Sequence, residues 1–217
     1  MGGLFYGLSV DLQAMRPALG ATSVLFVLLA MNMLVGLAGG IGIGLGIAAA
    51  DYAPTRRWHW SLLGGAVGGL LVGGLTELVG LDAFNLLLGR SPGNITGAAE
   101  GAFLGAAVGL AVWTARRREC SLAQSAAIGG LTTGLAGLLI PLLGGTLFAG
   151  SLDRLLTQFP DARFRLDAIG RLFGETGFGP VSRVATAGIE GLLFGVCLLA
   201  AMFFCWHGAV RAAGGAR

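Results

Sequence analysis

Polar side chains interrupt this chain rarely, and where they fall divides it into five long apolar runs. The first extends from about Ala21 to Ala50, the second from Ser61 to Leu81, and the third from Thr96 to Thr114. A fourth covers Ser121 to Gly150 and contains Pro141, and a fifth covers Val181 to Trp206. A helix crosses the hydrocarbon core with about 20 predominantly apolar residues, and each run is long enough. The pattern therefore predicts an all-α integral membrane protein with five transmembrane helices. Pro141 is expected to kink the fourth.

The connections carry the polar residues. "PTRRWHW" separates the first two runs, "ARRREC" the third and fourth, and Arg211 and Arg217 follow the fifth. Arg56, Arg57, Arg116, Arg117, Arg118, Arg211 and Arg217 on that side face only Asp51 and Glu119. On the other side Arg16, Arg90, Arg154, Arg163, Arg165, Arg171 and Arg183 are nearly balanced by Asp11, Asp82, Asp153, Asp161, Asp167 and Glu175. Short loops rich in arginine stay in the cytoplasm, which predicts an outer N-terminus and a cytoplasmic C-terminus. Trp58, Trp60, Trp113 and Trp206 all fall at the arginine-rich boundary, where indole rings anchor.

A repeat underlies the runs. "TGAAEGAFLG" at Thr96–Gly105 is echoed by "TAGIEGLLFG" at Thr186–Gly195. The preceding runs open on paired glycines, Gly64-Gly65 and Gly129-Gly130, with Gly69 and Gly134 a little further on. The outer connections hold the similar segments "DAFNLLLG" and "DAIGRLFG". Two similar helical hairpins are thus expected, spanning residues 61–120 and 121–217. Residues 1–20 form an outer N-terminal segment, and 21–60 hold the first helix and its cytoplasmic loop. An insertion at 151–180, expected to form short amphipathic helices at the outer interface, distinguishes the second hairpin.

Composition sharpens the class. Of 217 residues 55% are hydrophobic and 12% charged, about half the charge of a soluble domain. Lipid is the solvent such a surface requires. The 40 glycines suit helices that associate by close backbone approach. Gly65, Gly69, Gly101, Gly105, Gly130, Gly134, Gly191 and Gly195 are the expected packing positions. The run "GIGIGLG" at Gly40–Gly46 resembles the glycine-rich inner helix of rotary ATPase c-subunits over those seven residues. Five spans exceed that hairpin, and no function is carried over. No strand or acidic partner accompanies the glycines, which excludes a dinucleotide fingerprint.

Chemistry-bearing residues are few. All 14 basic residues are arginine, which excludes a Walker A lysine and a Schiff base. A net charge of +3, dispersed along the chain, does not suit nucleic acid. Cys120, Cys197 and Cys205 lack metal-type spacing, His59 and His207 sit beside tryptophans, and no nucleophile–base–acid set is visible. Neither catalysis, a cofactor nor a metal is expected.

Three carboxylates remain inside the runs: Glu77, Glu100 and Glu190. Intramembrane charge is costly, so such groups normally face the bundle interior, pair or stay protonated. Glu77 lies 16 residues past Ser61, about 24 Å into a core roughly 30 Å thick, and Glu100 and Glu190 follow their outer entry points. Two roles compete. The carboxylates could bind a cation or proton, in a small transporter or channel. Alternatively they hold loop amides or an arginine within a non-enzymatic subunit or scaffold, with Arg90, Arg183, Thr96 and Thr186 as possible partners. The second reading is preferred, because the inner halves of the spans are nearly devoid of polar residues. A bacterial cytoplasmic membrane, and further membrane subunits or second copies as partners, complete the expectation.

Overall fold

A computed structural model describes residues 21–53, 57–88, 96–158 and 166–214. All regular structure among them is helical: α1 (Ala21–Ala50), α2 (Trp58–Leu88), α3 (Ala98–Arg117), α4 (Leu122–Leu142), α5 (Phe148–Gln158), α6 (Asp167–Leu172) and α7 (Pro180–Gly214). Five of these, α1 to α4 and α7, contain stretches long and apolar enough to cross a membrane. The chain is an all-α polytopic membrane protein by architecture. Leucine, isoleucine and valine side chains cover the outward faces of α1, α2 and α4, as a lipid-facing surface requires.

Helices pair through glycine. α2 runs against α3 so that Gly65 meets Gly105, Gly69 meets Gly101 and Gly73 meets Gly97. At each of these glycines except Gly97 an added Cβ would collide with a backbone carbonyl of the opposite segment. The next step toward the arginine-rich end joins Gly109 to Ser61, whose hydroxyl donates to the Gly109 carbonyl at 2.8 Å. α4 and α7 repeat the arrangement with Gly129 on Gly195, Thr133 on Gly191 and Gly137 on Ala187. A third seam, Gly42 and Gly46 against Gly68 and Gly64, joins α1 to α2. Four-residue spacing returns to nearly the same helical face every turn, so each seam is a straight row of backbone contacts.

Two sequence expectations shift in register. The glycines at seam positions of α4 are Gly129 and Gly137, whereas Gly130 and Gly134 abut the side chains of Val196 and Leu192. Aligning Gly65 with Gly129, rather than with Gly130, superimposes the two seams and puts Thr133 where α2 has Gly69. Thr133 fits because its hydroxyl donates into the seam, lying 2.6 Å from the Gly129 carbonyl and 2.7 Å from that of Gly191. Gly64 belongs to the α1 seam instead.

The fourth run is shorter than its hydropathy suggested. α4 stops at Leu142 instead of running to Gly150, and Pro141 lies in its last turn. Gly144 takes a left-handed φ of 89°, and the Gly145 amide closes back on the Ile140 carbonyl at 3.0 Å. That closure satisfies the end of a helix rather than kinking it. The outer segments also diverge. "DAFNLLLG" continues α2 to Leu88, while most of "DAIGRLFG" forms the separate α6. α5 is amphipathic: Phe148, Ala149, Leu152 and Leu156 pack with Leu166 and Ile169 in a small core beyond the bundle.

The central core lies toward the arginine-rich end. Ile43 and Ile47 of α1, Val108, Ala111 and Val112 of α3, and Leu199 of α7 are buried together there. Asp51 accepts both of its contacts from Arg116 Nη1, at 2.7 and 2.8 Å, and the same guanidinium lies 4.0 Å from the Trp206 ring centre. This clasp ties the ends of α1 and α3 to α7.

Candidate functional site

The glutamates sit at the opposite end, where α3, α5 and α7 begin. A helix N-terminus leaves backbone N–H groups without intrahelical partners and carries partial positive charge. Each carboxylate meets such amides. Glu77 is one seam step beyond Gly73, and its Oε2 accepts from the first amide of α3, Ala98 N–H, at 3.3 Å. Gly97 is the residue that lets it in, since a Cβ there would strike the Glu77 carboxylate. Glu100, three residues into α3, turns back to accept the Gly97 N–H at 3.0 Å. That is half of a capping box, the other half needing a side chain that glycine lacks. Its second oxygen accepts the Thr146 N–H at 3.3 Å.

Glu190 does something different from its sequence echo. α7 extends outward to Pro180, so Glu190 lies well inside the helix, with no N-terminus of its own to cap. It reaches α5 instead, accepting Phe148 N–H and Ala149 N–H at 2.9 Å each, one amide per oxygen. Glu100 and Glu190 therefore converge on one short segment, Thr146–Ala149, from two helices. Thr96 is laced into the same place. Its amide donates to the Ser151 hydroxyl at 2.9 Å, and its own hydroxyl donates to the Thr146 carbonyl at 2.9 Å.

The expected partners are distributed otherwise. Arg90 lies outside the described residues. Arg183 is 3.4 Å from Asp153 of α5, while its Nε is buried without a hydrogen-bond partner among the described residues. Burial pushes the Asp153 carboxyl up, and Arg183 opposes that shift. Thr186 is buried and donates within α7 to the Ser182 carbonyl at 2.7 Å. Glu77 and Glu100 have no ion-pair partner among the described residues.

Several participants lay outside the sequence expectation. Glu175 accepts Val181 N–H at 3.0 Å and Ser182 N–H at 2.9 Å, and also the Ser182 hydroxyl, at the start of α7. The Ser182 hydroxyl is the main reason its carboxyl is held below the usual glutamate range, despite partial burial. A glutamate a few residues ahead of a proline-led helix was the available signal. Thr146 and Ser151 gave none, because only the fold brings them to Thr96.

Among the described residues no group of three or more His, Cys, Asp or Glu side chains is placed to hold a metal ion. His59 packs between Trp58 and Trp60 at the far end of the molecule, and the His207 side chain lies outside the described residues. What the arrangement does chemically is compensate helix ends. No protein-family model, curated protein or solved structure matches this chain.

Proposed function

We propose that this chain is a non-enzymatic subunit or scaffold of a membrane complex, assembled with other membrane proteins or with further copies of itself. One observation carries the reading. Glu77, Glu100 and Glu190, the carboxylates that would serve a translocated cation or proton, all accept backbone amides at helix starts. Amide-bound carboxylates are fixed acceptors rather than a mobile relay. The glycine seams support the same reading, because a row of carbonyl-to-glycine contacts leaves no room for a path between paired helices. In this proposal the membrane is a bacterial cytoplasmic membrane, the arginine-rich end is cytoplasmic, and α5 and α6 lie at the outer interface.

The test joins assembly to flux. The chain, purified gently from its native membrane, is expected to bring a stoichiometric partner or to run as a defined oligomer. Reconstituted alone into vesicles with a pH or cation gradient, it should leave the gradient intact. A flux through the wild-type chain that folded Glu100→Gln and Glu190→Gln variants abolish would replace this reading with a transporter.

A further inference from the structure

Three consecutive arginines end α3, and two of them are engaged. Arg116 holds Asp51 and lies over Trp206, while Arg117 lies 5.2 Å from the Trp113 ring centre. Arg118 makes no side-chain hydrogen bond or ion pair among the described residues. It lines an open groove of about 390 Å³ together with Cys120, Gln124, Ala127, Ile128 and Leu131. The groove has two chemically distinct ends. Arg118 and Gln124 are polar, and Gln124 spends its carbonyl oxygen on the Ser121 amide at 3.0 Å, leaving its NH₂ group as a donor. Ala127, Ile128 and Leu131 continue along α4 into the span, and Leu131 is 64% exposed.

From this geometry we infer that the groove at the α3–α4 turn binds one anionic glycerophospholipid. Its phosphate sits on the Arg118 guanidinium and the Gln124 amide, and one acyl chain lies along Ala127, Ile128 and Leu131. Charge complementarity selects the occupant. Guanidinium groups take phosphate in a planar, two-pronged contact, and a basic loop at a membrane boundary attracts acidic headgroups. Trp113 and Trp206 put the turn at headgroup level, where a phosphate and an acyl chain are presented together. A free phosphate would use only the polar end. The local backbone favours the site: Glu119 takes a left-handed φ of 48° and does not line the groove.

Native mass spectrometry of the full chain, released from detergent with phosphatidylglycerol or phosphatidylcholine of identical acyl chains, tests this. The wild type should retain one phosphatidylglycerol in preference to phosphatidylcholine. Arg118→Gln should lower that retention roughly five- to tenfold, the scale of one interfacial arginine. Arg57→Gln, which removes an exposed charge at the same end, should retain it as the wild type does. Ala127→Trp, which fills the apolar end with Arg118 intact, should also lose the lipid. Competition by millimolar inorganic phosphate should have no effect. Equal retention of the two lipids overturns the inference, as does equal loss in Arg118→Gln and Arg57→Gln. Displacement by inorganic phosphate would reduce the site to an anion site.

Discussion

Glycine is usually a cost in a helix, about 1 kcal/mol against alanine, so each seam glycine must return more than it loses. The contrast between two glycines measures that return. Gly69 lies against the Gly101 carbonyl, whereas nothing lies within 4 Å of a Cβ built on Gly36. Gly69→Ala should lower stability by about 1–3 kcal/mol, the scale of overpacking a tight contact. Gly36→Ala should be neutral or stabilising. Thermal unfolding in one detergent compares them directly, and equal melting temperatures would contradict the seam. The glutamates can be ranked in the same way. In Glu190→Gln one of the two 2.9 Å amide contacts faces an NH₂ group, donor against donor, and about 1–3 kcal/mol should be lost. Glu77→Gln, with its single 3.3 Å contact, should cost less. The reverse order would mean that the amide contacts are not what these side chains contribute.

Helix ends set the behaviour of whole elements. α7 begins on Glu175, whose carboxyl is held below its ordinary value by the Ser182 hydroxyl and the first amides of the helix. A depressed carboxyl stabilises the folded state fully above the ordinary value of 4.5, and that contribution fades as pH falls through the lower folded value. Asp153 acts in the opposite direction, since a raised carboxyl favours the folded state on protonation. Both wild type and Glu175→Gln retain Asp153, so their difference isolates Glu175. The variant should melt lower than wild type at neutral pH, and the gap should close on acidification below 4.5. A gap independent of pH would assign the effect to shape rather than charge. α5 depends on its neighbours as well, being held at its start by Glu190 and through Ser151 by Thr96. Ser151→Ala removes the acceptor of the Thr96 amide and should cost about 1 kcal/mol, with faster amide exchange confined to α5 and the start of α3.

Across the whole molecule, charged and aromatic residues mark the two ends differently. The arginine-rich end is closed by Asp51, Arg116 and Trp206, and the other by carboxylates on helix starts. Our orientation puts the first end in the cytoplasm. In a chain whose three cysteines are replaced by serine or alanine, a cysteine at Thr176 should react with an impermeant thiol reagent from outside. One at Tyr52, 92% exposed at the opposite end, should react only after permeabilisation. The inverse pattern would turn the molecule over and put the carboxylates toward the cytoplasm.

Apolar length and polar interruption are properties of consecutive residues, and they determined five helices of spanning length and their approximate limits. Local chemistry could have done more at Pro141, where a missing amide followed by Gly144-Gly145 marks a helix end, but hydropathy alone runs straight through to Gly150. The intramembrane glutamates were equally legible, because a carboxylate in an apolar run is costly unless something is placed to meet it. Which atoms they would meet was not. Glu100 and Glu190 share a motif yet serve different helices, since α7 extends past its glutamate and α3 starts two residues before its own. The register of the α4 seam was hidden for a related reason. A threonine can replace a glycine only where its hydroxyl finds carbonyls on both helices, as Thr133 does at Gly129 and Gly191. Spacing along one helix repeats every turn and names several faces at once. Only contact with the second helix selects one.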